Sequence, residues 1–247
     1  MNDYPIGVPI ERAPRRSRLW AVLSLLTIRF WALLPHFIVL VFLGIAQFVA
    51  FLIGQVVVLV NGTYPESLHR FVGGVLRWQL RVGAFLLALT DRYPPFSLQP
   101  DEAYPVDLRV SYPQRSSRLL AGLTVLFFIV SAGILGAAGS GSSFSRWEGL
   151  TNLRTVIQIP HLVILVFYGI AVFVVWIVAQ FVILFTASMT TGMHDFVADF
   201  ARWSTRVSAF TYGLTDRYPP FSGKPGPQDG RAAAPGEPTA SEEPRAA

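Results

Sequence analysis

Long uncharged stretches alternate with charged ones along the chain. No Asp, Glu, Lys or Arg occurs in residues 30–65, 119–145 or 155–194. Since a helix rises 1.5 Å per residue, about 20 apolar residues span the roughly 30 Å hydrocarbon core of a bilayer. The pattern predicts three transmembrane helices, at about 37–60, 119–138 and 162–187.

Two amphipathic segments, at about 66–90 and 191–215, follow the first and third predicted crossings. In the first segment Glu66, Arg70, Arg77 and Arg81 recur at helical spacing, with apolar residues opposite them. This pattern is typical of a helix that lies in the headgroup plane with its apolar face in the lipid. The prolines of Tyr93-Pro94-Pro95-Phe96 end the first of these helices.

The chain contains an internal duplication. Residues 35–97 align without a gap with residues 160–222, and 31 of the 63 positions are identical. Arg15, Ser17, Arg18 and Leu19 also recur as Arg115, Ser117, Arg118 and Leu119, at an offset of 100. The second copy therefore has about 25 extra residues, which include the predicted helix at 119–138. One extra crossing would make the two repeats parallel, related by an axis along the membrane normal.

These features predict an all-α integral membrane protein built from tandem repeats. Residues 1–100 form the first membrane repeat and 101–222 the second, which carries the inserted helix. Residues 223–247 are rich in Pro, Gly, Ala and Glu, and we expect a disordered tail. Lys and Arg residues are more numerous on the side of the amphipathic segments. The positive-inside rule therefore predicts a multi-pass protein of the cell inner (plasma) membrane with a cytoplasmic C-terminus.

Composition and charge narrow the function classes. The chain is 52% hydrophobic and 14% charged, unlike a soluble domain. Its net charge of +5 beside apolar segments favours anionic lipid over nucleic acid as a partner. Because no cysteine is present, disulfides, zinc-thiolate sites and iron–sulfur clusters are excluded.

The repeated blocks Arg-Trp-x-x-Arg-Val and Leu-Thr-Asp-Arg-Tyr-Pro-Pro-Phe-Ser, with Pro-His at the start of each apolar run, resemble a bacterial membrane family, domain of unknown function 4389. The resemblance covers residues 4–98 and 104–222. It implies a membrane protein and brings no activity with it. In the first copy the matching positions are Pro35, His36, Arg77, Trp78, Arg81, Asp91, Arg92, Tyr93, Pro94, Pro95 and Phe96.

Histidines are the first candidates for chemistry, because all four are paired by the repeat: His36 with His161, and His69 with His194. Such pairs could hold a metal or a haem in a redox subunit. However, no Glu-x-x-His or His-x-x-x-His spacing supports a metal site, and His36 and His161 lie where a ring can reach headgroups or water. We therefore expect no metal, cofactor or catalytic residue.

Repeated arginines are the second candidates. Arg77 and Arg81, like Arg202 and Arg206, are four residues apart on one helical face. They can bind lipid phosphate or form ion pairs within the protein, most plausibly with Asp91 and Asp216. The adjacent Arg92 and Arg217 belong to the same candidate set.

Glutamines in the apolar runs are the third candidates. Gln55 and Gln180 can join helices by hydrogen bonding or line a cavity. The favoured function is a non-enzymatic structural or accessory component that binds anionic membrane lipid, a membrane-protein partner or a second copy of itself. The alternative is a small oligomeric transporter or channel-like component in which both glutamines face a shared cavity.

Overall fold

The computed structural model describes residues 4–137 and 152–230, apart from the side chains of residues 132–137. Two strands and eight helices occur in this part of the chain. In order they are β1 (Ile6–Gly7), α1 (Arg18–Leu25), α2 (Ile28–Ala32), α3 (Leu34–Asn61), α4 (Glu66–Leu86), β2 (Arg109–Val110), α5 (Arg118–Ala137), α6 (Leu153–Ile157), α7 (Ile159–Thr186) and α8 (Thr191–Thr211). A 3-10 helix follows at Pro227–Asp229. The protein is therefore mostly helical, as predicted, with a small sheet and three short helices that the sequence pattern did not indicate.

Helices α3 and α7 have 28 residues each, which corresponds to roughly 42 Å. Each has a proline in its first turn, where the missing N–H costs little. Each ends at a residue in the left-handed conformation, Gly62 in the first repeat and Ala187 in the second. By length and composition these two helices can cross a membrane. Within the described residues α5 supplies only a shorter apolar stretch, Arg118–Ser131, so the third crossing remains a prediction.

Helices α4 and α8 have 21 residues each and end four residues before the predicted boundaries at 90 and 215. The chain then turns through a left-handed residue, Ala88 after α4 and Gly213 after α8. The two helices pack against each other at the centre of the molecule.

The two strands reveal a pseudo-twofold axis. They pair antiparallel, with Ile6 opposite Val110 and Gly7 opposite Arg109. The bridge between Ile10 and Val106 extends the same register. In this register Val8 lies opposite Leu108. These two residues also occupy equivalent positions of the two repeats, which are 100 residues apart in this part of the chain. The axis therefore passes between these two residues.

A polar layer, here called the cover, consists of residues 4–12, 98–112 and 222–230. Residues 98–112 lie on α4, where Arg77 donates to the carbonyl oxygens of Leu98 and Leu108 at 2.8 Å. Residues 4–12 belong to the first repeat but lie on α8 of the second, where Arg202 donates to the carbonyl oxygen of Val8 at 3.3 Å. In the same way α1 packs on α7, and α5 packs on α3. The two repeats thus exchange their N-terminal segments.

Part of the expected tail belongs to the cover. Asp229 accepts a hydrogen bond from Arg206 at 2.6 Å, and its side chain is 2% exposed. It also accepts from the backbone N–H of Val8. Residues 223–230 are thus packed on the second repeat, and 231–247 lie outside the described residues.

Helices α3 and α7 run antiparallel to each other. Gly62, at the end of α3, accepts a hydrogen bond from the N–H of Ser116 at 2.9 Å. Next to it, Ser117 bonds to Asp216, which pairs with Arg154 shortly before α7 begins. The end of α7 meets the start of α3 by equivalent bonds. The expectation of two parallel core crossings is therefore wrong, because the end of each long helix lies near the start of the other.

Candidate functional site

Asp91 is the centre of a buried cluster at the start of α3. Its carboxylate accepts from the Arg29 guanidinium at 2.6 Å and from the Ser17 N–H at 2.8 Å. Arg29 also donates to the carbonyl oxygen of Phe85 at 2.9 Å, and its guanidinium lies 4.6 Å from the centre of the Phe85 ring. Since Ser17 caps α1, the carboxylate joins α1, α2 and the end of α4.

Asp216 forms the equivalent cluster at the start of α7. It accepts from Arg154 at 2.5 Å and from the Ser117 N–H at 2.6 Å. Arg154 lies 5.1 Å from the centre of the Phe210 ring, and only 2% of its side chain is exposed. Removing one partner of such a buried pair costs roughly 3–5 kcal/mol, because the remaining charge is uncompensated. The repeated aspartates therefore have a structural role.

His36 and His161 lie in separate, equivalent aromatic boxes. Trp78 donates its indole N–H to Nδ1 of His36 at 2.9 Å, and the imidazole stacks on Phe96 with ring centres 3.8 Å apart. In the second box Trp203 donates its indole N–H to Nδ1 of His161 at 3.0 Å, and the ring centres of His161 and Phe221 lie 3.7 Å apart. Both imidazoles are completely buried. The Arg-Trp and Tyr-Pro-Pro-Phe blocks thus meet around the Pro-His dipeptide, and neither ring reaches headgroups or water as the sequence suggested.

The arginines of α4 and α8 point into the cover. Arg77 and Arg81 both bind Asp107, at 2.8 and 3.0 Å, and the Arg81 side chain is fully buried. Arg202 binds Asp199 at 3.1 Å, and Arg206 binds Asp229. The four arginines thus form ion pairs within the protein, one of the two alternatives considered. The expected partners were Asp91 and Asp216, and this expectation was wrong.

Arg92 and Arg217 lie beside the two clusters and are tied to the cover. The backbone carbonyl of Arg92 accepts from the hydroxyl of Tyr104 at 3.0 Å, and that of Arg217 accepts from Tyr4 at 3.3 Å. The guanidinium of Arg92 donates to the carbonyl oxygen of Ala103. The cover thus reaches both aspartate clusters.

Gln55 and Gln180 occupy equivalent but separate positions. Gln55 lies against the turn residue Gly213, and Gln180 donates to the carbonyl oxygen of Trp176 at 3.1 Å. Neither residue lines the 230 Å³ groove between α4 and α8. Gln55 thus contacts the second repeat, whereas the hydrogen bond of Gln180 lies within its own helix.

His69 and His194 are buried on α4 and α8. His69 lies 3.2 Å from the carbonyl oxygen of Leu214, and His194 lies 3.3 Å from a carboxylate oxygen of Asp195. Burial lowers the pKa of His69 and of His194, because it penalises the charged imidazolium. In residues 4–137 and 152–230 no group of three or more His, Asp or Glu side chains could hold a metal ion.

Sequence reasoning missed the partners of the candidate residues. Arg29 and Arg154 lie outside the aligned blocks, yet they are equivalent at the same offset of 125, so extending the alignment would have found them. Asp107 and Asp229 have no counterpart in the other repeat, and no signal from the duplication marks them.

The family model Domain of unknown function (DUF4389) matches residues 24–97 and 150–223. The two matches coincide with the structural repeats from the segment before each long helix to the Tyr-Pro-Pro-Phe block. This result confirms the resemblance that the repeated motifs indicated. Neither a curated protein nor a solved structure matches the chain.

Proposed function

The chain belongs to the DUF4389 family through both of its halves, and on that premise we propose that it is a non-enzymatic structural component embedded in a membrane. In this role it organises anionic lipid and serves as a fixed packing partner for other membrane proteins. We place its polar cover on the cytoplasmic side of the inner membrane, because two of its three segments, residues 98–112 and 222–230, lie in the parts of the chain that carry more Lys and Arg.

The apolar exterior of α3 and α7 carries this proposal. In their most apolar 18-residue windows only 22% and 11% of the residues are buried within the protein. Phe42 and Phe167, which are equivalent, are each 69% exposed. Leaving such a side chain in water instead of burying it costs roughly 1.5–3 kcal/mol. Lipid acyl chains satisfy a surface of this composition without any further contact.

A structural role is supported by what the buried charges do. Four buried arginines form ion pairs that connect helices or attach the cover: Arg29, Arg81, Arg154 and Arg206. The repeated histidines accept or approach hydrogen-bond partners in packed surroundings. These contacts supply rigidity and no group that is poised to react.

Binding of anionic lipid then requires arginines other than the predicted Arg77, Arg81, Arg202 and Arg206, because those four form ion pairs within the protein. Arg15 and Arg18 are exposed at the start of α1, and their equivalents Arg115 and Arg118 are exposed at the start of α5. Guanidinium groups at the edge of an apolar surface suit lipid phosphate by charge and by paired hydrogen bonds. We expect these four residues to bind headgroups.

The test is lipid analysis of protein purified in mild detergent from a native membrane. Wild type should co-purify with more anionic lipid than bulk membrane contains, and replacing all four arginines by Gln should remove that enrichment. A control variant, Arg70→Gln with Lys224→Gln, removes two other exposed positive charges and should keep it. Unchanged enrichment in the fourfold variant would refute the lipid role, and a stoichiometric co-purifying protein would support the accessory role.

The transporter alternative has no comparable support. It requires Gln55 and Gln180 to face one cavity, whereas Gln55 lies against the turn at Gly213 and Gln180 bonds to Trp176 of its own helix. Replacing both by Leu should leave any activity of the membrane complex intact.

A further inference from the structure

We propose that the protein sits in one leaflet of the bilayer, with its pseudo-twofold axis along the membrane normal and with α3 and α7 lying along the leaflet. The acyl chains of that single leaflet are the partner of the apolar surface. This inference rests on the proposed membrane embedding and adds its geometry.

Symmetry supplies the first step. A twofold axis parallel to a helix generates a parallel copy, and an axis perpendicular to it generates an antiparallel copy. The antiparallel case is established by the hydrogen bonds that the N–H groups of Ser116 and Arg16 donate to the carbonyl oxygens of Gly62 and Ala187. The axis is therefore perpendicular to α3 and α7. If these helices crossed the membrane, the axis would lie in the membrane plane.

The position of the cover decides between the two orientations. The axis passes through the cover between Val8 and Leu108. With the axis in the membrane plane, the cover would face the hydrocarbon near the middle of the bilayer. Charged residues of the cover next to the axis, such as the partly exposed Asp107 and Arg109 on either side of Leu108, would lie there, where ionised side chains are expensive. With the axis along the normal, all of them face water.

Polarity also changes in layers along the axis. On α4, Arg77 and Arg81 bind the cover, whereas Gln79 donates to Gln47 of α3 at 3.2 Å from the opposite side of the helix. On α8 the cover binds Arg202, and Phe200 on the opposite side contacts Tyr168 of α7. The order is therefore a charged cover, then amphipathic α4 and α8, then apolar α3 and α7. This is the order of water, headgroups and acyl chains across one leaflet.

Both ends of α3 return to the polar side. Its start adjoins the Asp91 cluster, and its end adjoins Ser116 and the Asp216 cluster. The cover touches both clusters, through Tyr104 at Arg92 and through Tyr4 at Arg217. A helix whose two ends are tied to one polar layer fits a position along a leaflet about 15 Å deep.

The experiment uses the absence of cysteine from the full chain. Four single replacements are conservative: Thr63→Cys and Ser188→Cys at the ends of α3 and α7, and Ser97→Cys and Ser222→Cys near their starts. Phe96 and Phe221 fix the latter two positions by stacking on His36 and His161. Each variant is labelled with a membrane-impermeant maleimide in spheroplasts and in inverted vesicles, and detergent-solubilised protein gives the value for complete labelling.

A single-leaflet position gives labelling of all four cysteines from one side and none from the other. Antiparallel crossings would place Thr63 and Ser222 on one side and Ser97 and Ser188 on the other. Parallel crossings would pair Thr63 with Ser188. Either crossing pattern overturns the inference while leaving membrane embedding intact. Release of the protein by alkaline carbonate would instead overturn the embedding itself.

Discussion

The two repeats neutralise equivalent arginines with carboxylates from different places. In the first repeat Asp107 of the cover serves both Arg77 and Arg81. The position equivalent to Asp107 in the other copy of the cover is Gly7, at the offset of 100. The second repeat therefore divides the task between Asp199 on α8 and Asp229 at the end of the cover.

The reverse exchange occurs on the helices. Asp199 of α8 is equivalent to Gly74 of α4, at the offset of 125. Because the N-terminal segments are exchanged, the half of the molecule around α4 has Asp107 and Gly74, whereas the half around α8 has Gly7 and Asp199, and the arginines are identical in both. The comparison indicates that a buried guanidinium must have a carboxylate, whereas the backbone position that supplies it is free to change.

The largest effect should come from removing the shared carboxylate. Asp107→Ala leaves two arginines in a buried site without their anion, and we expect a loss of at least about 3–5 kcal/mol in the free energy of unfolding. Asp199→Ala should cost less, roughly 1.5–3 kcal/mol, because it removes the carboxylate from Arg202 alone while Arg206 keeps Asp229. Thermal unfolding in detergent measures both, and equal losses would contradict the sharing of Asp107.

A transplanted carboxylate should not restore the second repeat. A side chain at Gly7 would meet the backbone oxygen of Gln228 at 2.4 Å. Gly7→Asp should therefore destabilise the protein by roughly 1–3 kcal/mol through overpacking, even in an Asp229→Ala background. Gly83→Ala is a suitable control, because nothing lies within 4 Å of its added carbon. Rescue of Asp229→Ala by Gly7→Asp would show that the repeats are interchangeable after all.

The smallest effect concerns the buried histidines. The folded-state pKa of His69 and of His194 lies below the ordinary value of about 6.5, so the unfolded chain binds protons first as the pH falls. Stability should be constant above that value and should decrease below it, by at most about 1.4 kcal/mol per pH unit for each histidine. Unfolding of wild type and of His69→Gln between pH 8 and pH 5 measures this slope. A slope that is no shallower in the variant would contradict the assignment to His69.

Periodicity and duplication predicted the main helices because both signals are local. The charge-free runs located α3 and α7 within a few residues, and the stripe of Arg77 and Arg81 located α4. The direction of α7 relative to α3 was predicted wrongly, since it was inferred by counting the inserted helix as a crossing, and such a count cannot detect that both ends of each long helix join one polar layer. The cover was not predicted, because its pairing of β1 with β2 spans a hundred residues and depends on tertiary contacts.

The exchange of N-terminal segments also imposes an order on folding during synthesis. Residues 4–12 leave the ribosome long before their binding surface on α8 is made, because Val8 and Arg202 are 194 residues apart. Until α8 is complete, the first repeat can close only its own side, with residues 98–112 on α4. Contacts of such large sequence separation form slowly, because the entropy of closing a long loop is lost before the contacts can stabilise the structure. Completion of the second repeat is therefore the step that fixes the beginning of the chain.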